Sequence, residues 1–227
     1  ASLKAKQHSD MLMNLSEGQD NRVRRAIWNA LRNYKNNDDV STFLQNVVST
    51  DSKYYSVSDA FRALVVVDTA AARKKVEALL VRDSHQDVIR SAAISFFGSA
   101  RSDKNYNRLK ELASYGGTTW DARPEAVSQL SRYAKEKRET IDIFVNLLED
   151  RSRDVRRRAI YALASHGDKT HLGPLDEVMF KDPALGRDIR YAKKRILNPP
   201  KKPTKAPIEK KLEEANRKLD EIKRLLD

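Results

Sequence analysis

Asp150-Arg151-Ser152-Arg153-Asp154-Val155-Arg156-Arg157-Arg158-Ala159-Ile160-Tyr161-Ala162-Leu163 is the stretch that decides the fold. Val155, Ala159, Ala162 and Leu163 stand at offsets 0, 4, 7 and 8. At about 3.6 residues per helical turn these positions fall on one apolar stripe. The same offsets return along the chain from anchors at Val23, Ser56, Val88, Ala122, Val155 and Ile189, separated by 33, 32, 34, 33 and 34 residues. Eight positions after each anchor stand Leu31, Leu64, Phe96, Leu130, Leu163 and Leu197. A period of this size marks stacked units, none of which can bury its own apolar face alone.

Ahead of each such helix from the second unit on lies another amphipathic run: Val40–Val48, Ala71–Leu80, Tyr106–Ala113, Ile141–Leu148 and Leu172–Phe180. Each unit therefore reads as helix, short turn, helix. The small residue at offset 4 allows close approach of a partner helix, and the large one at offset 8 fills the space between layers. Asp51-Ser52, Asp83-Ser84, Gly116-Gly117, Asp150-Arg151-Ser152 and Asp182-Pro183 supply turn and cap chemistry before the second helices. Gly98 and Gly167 are expected just past helix C-termini. The last unit departs from the pattern with Lys193 at offset 4, as suits a terminal layer with one wet face.

The unit resembles the HEAT repeat, in the variety with an Asp-x-x-x-x-Val-Arg-x-x-Ala-x-x-Ala-Leu core, over about residues 10 to 197. That resemblance implies an all-α fold: a right-handed α-α superhelix, an armadillo-like solenoid of about six helical hairpins. The organisation is then a solenoid over 1–197, a Pro- and Lys-rich linker over 198–207 and a short coiled-coil-like helix over 208–227. In the last segment Ile208, Leu212, Ala215, Leu219, Ile222 and Leu226 follow a heptad seam, and the expectation is self-association or docking against the solenoid.

Net charge is +12, with 33% charged residues, a balance that favours acidic partners, nucleic acid included. No apolar run is long enough for a transmembrane helix, so membrane insertion is not expected. There is no cysteine, hence no disulfide framework. This, with the lack of an apolar leader, leads to an expected cytoplasmic setting. The four histidines, His8, His85, His166 and His171, never form His-Glu-x-x-His, the spacing that puts two imidazoles one helical turn apart on a zinc ion. His166 and His171 fall in a turn and read as a polar loop. Neither a nucleophile elbow nor a phosphate loop is present. The expectation is a non-catalytic chain with no cofactor of its own.

If offsets 0, 4, 7 and 8 face the core, offsets 2 and 9 point away, flanked by 5 and 6. This geometry nominates Arg25, Trp28, Arg32, Arg62, Arg90, Arg157, Tyr161 and Arg195 as a file of arginines and aromatics along the inner helices. Arginine forks suit carboxylates and phosphates alike. The alternative is a solvated face tied by ion pairs between units. Trp120 is expected to plug the seam between two layers, the alternative being an exposed ring that stacks on a base or a cation.

Asp51-Ser52-Lys53-Tyr54-Tyr55-Ser56-Val57-Ser58-Asp59-Ala60-Phe61-Arg62-Ala63-Leu64, the stretch Arg187–Leu197 and the charged tail are similar to the C-terminal helical domain of bacterial and archaeal zinc aminopeptidases of the aminopeptidase N family. The resemblance implies that the catalytic domain, with its zinc, lies in a separate upstream region, and that this chain limits access and contacts peptide through a concave arginine-lined face. A partner is then a peptide or protein with acidic groups. Two other classes stay open: a stand-alone interaction scaffold, and a nucleic-acid binder similar to HEAT-like DNA glycosylases.

Overall fold

The computed structural model describes residues 3–199. Among these the protein is all-α, with twelve α-helices, three short 3₁₀ turns and no strand. The helices are α1 (Leu3–Leu15), α2 (Asn21–Leu31), α3 (Asp38–Thr50), α4 (Tyr54–Val67), α5 (Thr69–Leu80), α6 (Val88–Ser99), α7 (Asp103–Ala113), α8 (Arg123–Leu130), α9 (Thr140–Leu147), α10 (Arg153–His166), α11 (Leu172–Lys181) and α12 (Gly186–Leu197). No helix among the described residues is long and apolar enough to cross a membrane. The expected linker beyond Pro199 and the heptad residues Leu212, Ala215, Leu219, Ile222 and Leu226 lie outside the described residues.

Consecutive helices pack in pairs: α1 with α2, α3 with α4, α5 with α6, α7 with α8, α9 with α10, α11 with α12. The even-numbered helices also pack on one another in chain order, α2 on α4, α4 on α6, α6 on α8, α8 on α10 and α10 on α12. Each interior even helix thus has at least three neighbours, and this explains the width of its buried face. Leu31, Leu64, Phe96, Leu130 and Leu163 at offset 8 are all within 1% of complete burial. Offset 5 is buried as well: Trp28, Phe61, Ala93, Val127 and Ile160. The outward stripe is correspondingly narrower than a single-partner helix would leave.

Helix starts follow local chemistry. Asp20 accepts from the amides of Arg22 and Val23 at the head of α2, Asp68 from Ala71 at α5, Ser102 from Asn105 at α7 and Ser152 from Val155 at α10. Each satisfies an amide that the helix itself leaves without a partner. At α6 the entry is different. Gln86 and Asp87 take positive φ values of 51° and 52°, a conformation costly for residues with a Cβ. The hydroxyl of Ser84 then accepts from the Ile89 amide.

Four expectations fail here. Val23 is 40% exposed and Leu197 48% exposed, because both belong to the outermost described layers and have no further even helix to cover them. The buried apolar side chains of α12 are Ile189, Ala192 and Ile196, and Lys193 turns outward to Asp176 at 2.6 Å, in keeping with the wet face expected of the last unit. Gly98 does not end a helix. It lies inside α6, where a Cβ would fall 2.0 Å from the Gln129 side-chain oxygen on α8; the glycine permits this close crossing. Finally Trp120 does not plug a seam: it is 56% exposed. Arg90 occupies that position instead, donating to Leu80 O at 2.6 Å and across to Thr119 Oγ1 at 3.1 Å.

Candidate functional site

Near their N-terminal ends the even helices hold arginines that are spoken for. Arg24 of α2 meets Asp51 at 2.6 Å, Arg123 of α8 meets Asp150, and Arg156 of α10 meets Asp182 at 2.7 Å. Each pair bridges one helical pair to the next. Burial sharpens these pairs: the side chains of Arg123 and Asp150 are only 3% and 8% exposed. Asp182 is held below the usual carboxylate range, first by its hydrogen bond to Arg156 and further by Arg153. For Asp51, partial burial pushes upward but is outweighed by the Lys53 amide, the Ser56 hydroxyl and Arg24, so it too titrates low.

Arg25, Arg90, Arg157 and Tyr161 of the nominated file are likewise engaged by aspartates. Arg25 pairs with Asp59 at 2.8 Å, and Arg157 with Asp154 at 2.7 Å and Asp188 at 3.3 Å. The Tyr161 hydroxyl donates to Asp188 at 2.7 Å, which raises its pKa, and its ring meets Tyr191 at 5.7 Å. Arg90 is 8% exposed and bound to Asp87 and Asp83. Trp28 is 2% exposed and packs on Phe43 at 5.8 Å. Arg90 and Trp28 are therefore interior residues, contrary to the expectation of a ligand face. Trp28 packs against α3, and Arg90 reaches the C-terminal end of α5 and the loop before α8 rather than solvent. Arg195 is half-buried on α12, the last described helix, which packs on α10.

Arg32 and Arg62 are different. They share a cavity of about 500 Å³ lined from four successive even helices and the turns that follow them: Arg32 and Lys35 after α2, Arg62, Val65 and Val66 on α4, Ser95 and Ser99 on α6, Glu125 and Gln129 on α8, and Arg132 just beyond. Four cations face a single carboxylate there. That carboxylate, Glu125, is engaged by Gln129, whose Nε2 donates to it at 2.6 Å. Arg62 reaches Ser58 Oγ at 2.9 Å and Asp59 at 3.5 Å. Arg32, Lys35 and Arg132 have no carboxylate within 4.0 Å among the described residues.

A second cavity, also about 500 Å³, shares Ser99 and Arg132 with the first and continues through Arg101, Ser131, Lys135 and His166. Arg101 is paired with Glu136 at 2.6 Å, while Lys135 has no carboxylate partner among the described residues. His166 is pushed below its ordinary pKa by burial first, then by Lys135 and Arg138, so it is neutral near pH 7. The two cavities adjoin at Ser99 and Arg132, and the groove they outline has a strongly positive lining. The sequence reading missed Lys35, Arg132 and Lys135. A signal was there: Arg32/Lys35 and Arg132/Lys135 are cation pairs spaced by three, each just past the buried leucine that ends the helix.

His171 sits in a turn, its ring nitrogen 3.1 Å from Asp168, within a reciprocal cap. No group of three or more metal-ligating side chains gathers among the described residues. The exposed rings lie elsewhere. Tyr115 is 68% exposed with Arg123 and Arg151 over it at 5.6 and 5.4 Å, in the same loop as Trp120. No known family model matches the chain, and no curated protein matches it either.

Proposed function

We propose that this chain is a non-catalytic binding domain, a right-handed α-α superhelix of HEAT-like hairpins whose groove takes an extended, carboxylate-rich polypeptide. The stacking of the even helices in chain order supports the superhelix. One observation carries the binding reading. Arg24, Arg25, Arg123, Arg153, Arg156 and Arg157, in the N-terminal halves of their helices, are engaged by aspartates of neighbouring units, whereas Arg32, Lys35, Arg132 and Lys135 line two adjoining cavities without such partners. Cations kept unpaired in a lined groove are suited to charge-assisted bonds with an incoming anion.

The test is titration of labelled poly-glutamate against the protein by fluorescence anisotropy. Binding is expected at low salt, weakening as salt screens it, and reduced in Arg32→Ala/Arg132→Ala but not in Lys169→Ala. Equal binding by all three proteins would dismiss the groove.

Attachment to a zinc aminopeptidase catalytic domain rests on the sequence similarity of Asp51–Leu64 and Arg187–Leu197. The reading frame upstream of Ala1 tests it, a His-Glu-x-x-His there supporting the idea and a complete frame without one ending it. The scaffold alternative, with residues 208–227 as a dimeriser, is tested by light scattering of the chain with and without that segment. A nucleic-acid reading is favoured by the exposed Trp120 and by the exposed Tyr115, over which Arg151 lies. It requires that single-stranded DNA bind and that Trp120→Ala weaken it, since stacking on a ring is worth about 1–3 kcal/mol per base.

A further inference from the structure

Resting on the groove reading above, we infer its sequence preference: an extended acidic peptide with carboxylates three residues apart, interrupted at the third step. The first cavity crosses four even helices in order. Packed helices lie about 8–10 Å apart. An extended chain advances about 3.3 Å per residue, so it places one residue in three over each layer. Layer by layer the groove offers Arg32 at α2, Arg62 at α4, only the hydroxyls of Ser95 and Ser99 at α6, and Arg132 at α8. A matching ligand therefore carries Asp or Glu at positions i, i+3 and i+9, with a neutral hydrogen-bonding residue at i+6.

The same geometry argues against a polynucleotide in this groove. A nucleic-acid strand brings about one charge per 3.4 Å, roughly three per layer, where the lining supplies about one cation. Neither cavity has a Phe, Tyr or Trp in its lining on which a base could stack, and Glu125 would face the phosphates. A peptide with one carboxylate in three residues has the lower charge density that this lining fits.

The experiment measures anisotropy of three labelled twelve-residue peptides of equal net charge, with acids at positions 1, 4 and 10, at 1, 3 and 5, or clustered at 10, 11 and 12. A twelve-nucleotide oligo-dT is run alongside. The first peptide should bind most tightly. Removing Arg32 or Arg132 singly should cost it about two- to fivefold, the span of one solvent-exposed ion pair, and the other two peptides less. In Arg132→Glu, replacing the acid at position 10 by Lys should restore affinity. Neither Arg32 nor Arg132 forms an ion pair among the described residues, and circular dichroism checks that both variants remain folded.

Equal affinity for the three peptides overturns the spacing while leaving an anionic groove in place. Tighter binding of oligo-dT than of any peptide overturns the choice of polypeptide. Failure of every probe to bind removes the groove reading itself, and the spacing with it.

Discussion

Arg123→Ala should be among the most destabilising changes of a charged residue in this protein. The Arg123 and Asp150 side chains retain only 3% and 8% of their exposure, so the substitution strands a buried carboxylate. Breaking such a pair costs about 3–5 kcal/mol. For a chain of this size about 1 kcal/mol moves the melting temperature by roughly 2–4 °C, which gives a fall of about 6–20 °C. Arg25–Asp59 is the internal control: it also bridges neighbouring even helices, but Arg25 is 58% exposed, and its loss should stay within about 1 kcal/mol. Urea unfolding followed by circular dichroism gives both numbers. The double variant Arg123→Met/Asp150→Leu should recover most of the loss, since well-packed apolar replacements of buried pairs are often neutral or better. It will not recover all of it, because Asp150 also accepts from the Ser152 amide at 2.8 Å. If Arg123→Ala costs no more than Arg25→Ala, burial is not what distinguishes the two pairs and the reasoning fails.

Gly98→Ala should cost about 1–3 kcal/mol, the range for overpacking a filled contact, because its Cβ would displace Gln129. Adding Gln129→Ala should recover much of this, as read by the urea midpoint. Trp28→Ala should cost about 3–5 kcal/mol as a large-to-small core change, yet leave poly-glutamate affinity unchanged at temperatures well below its melt; Arg32→Ala should do the reverse. Asp68 is held below the ordinary carboxylate range by the Ala71 amide and the Ser41 hydroxyl. Its contribution is therefore complete above the unfolded value of about 3.9 and is lost as pH falls through the lower folded value. Asp68→Asn should flatten that acid limb of a stability-versus-pH curve, and an unchanged limb would show that Asp68 is not among the groups that produce it.

The period of 32 to 34 residues, the second helices, the amphipathic runs ahead of them and the buried offset-8 residues were legible in the chain itself. Helical periodicity is a local property: a stripe of Val155, Ala159, Ala162 and Leu163 requires a covered face whatever covers it. Periodicity gives the direction of a side chain but not the number of neighbours a helix has. Trp28, Phe61 and Arg90 lie off the stripe of offsets 0, 4, 7 and 8, and they are buried by neighbours that periodicity does not reveal: Phe43 of α3 beside Trp28, Phe96 of α6 beside Phe61, and the Leu80 carbonyl and Thr119 beside Arg90. The tertiary structure alone settled which arginines meet an aspartate of a neighbouring unit, since those bridging pairs join residues some 26 to 34 positions apart. That is also why the groove at Arg32, Arg62 and Arg132 emerged from the packing of four layers rather than from any one of them.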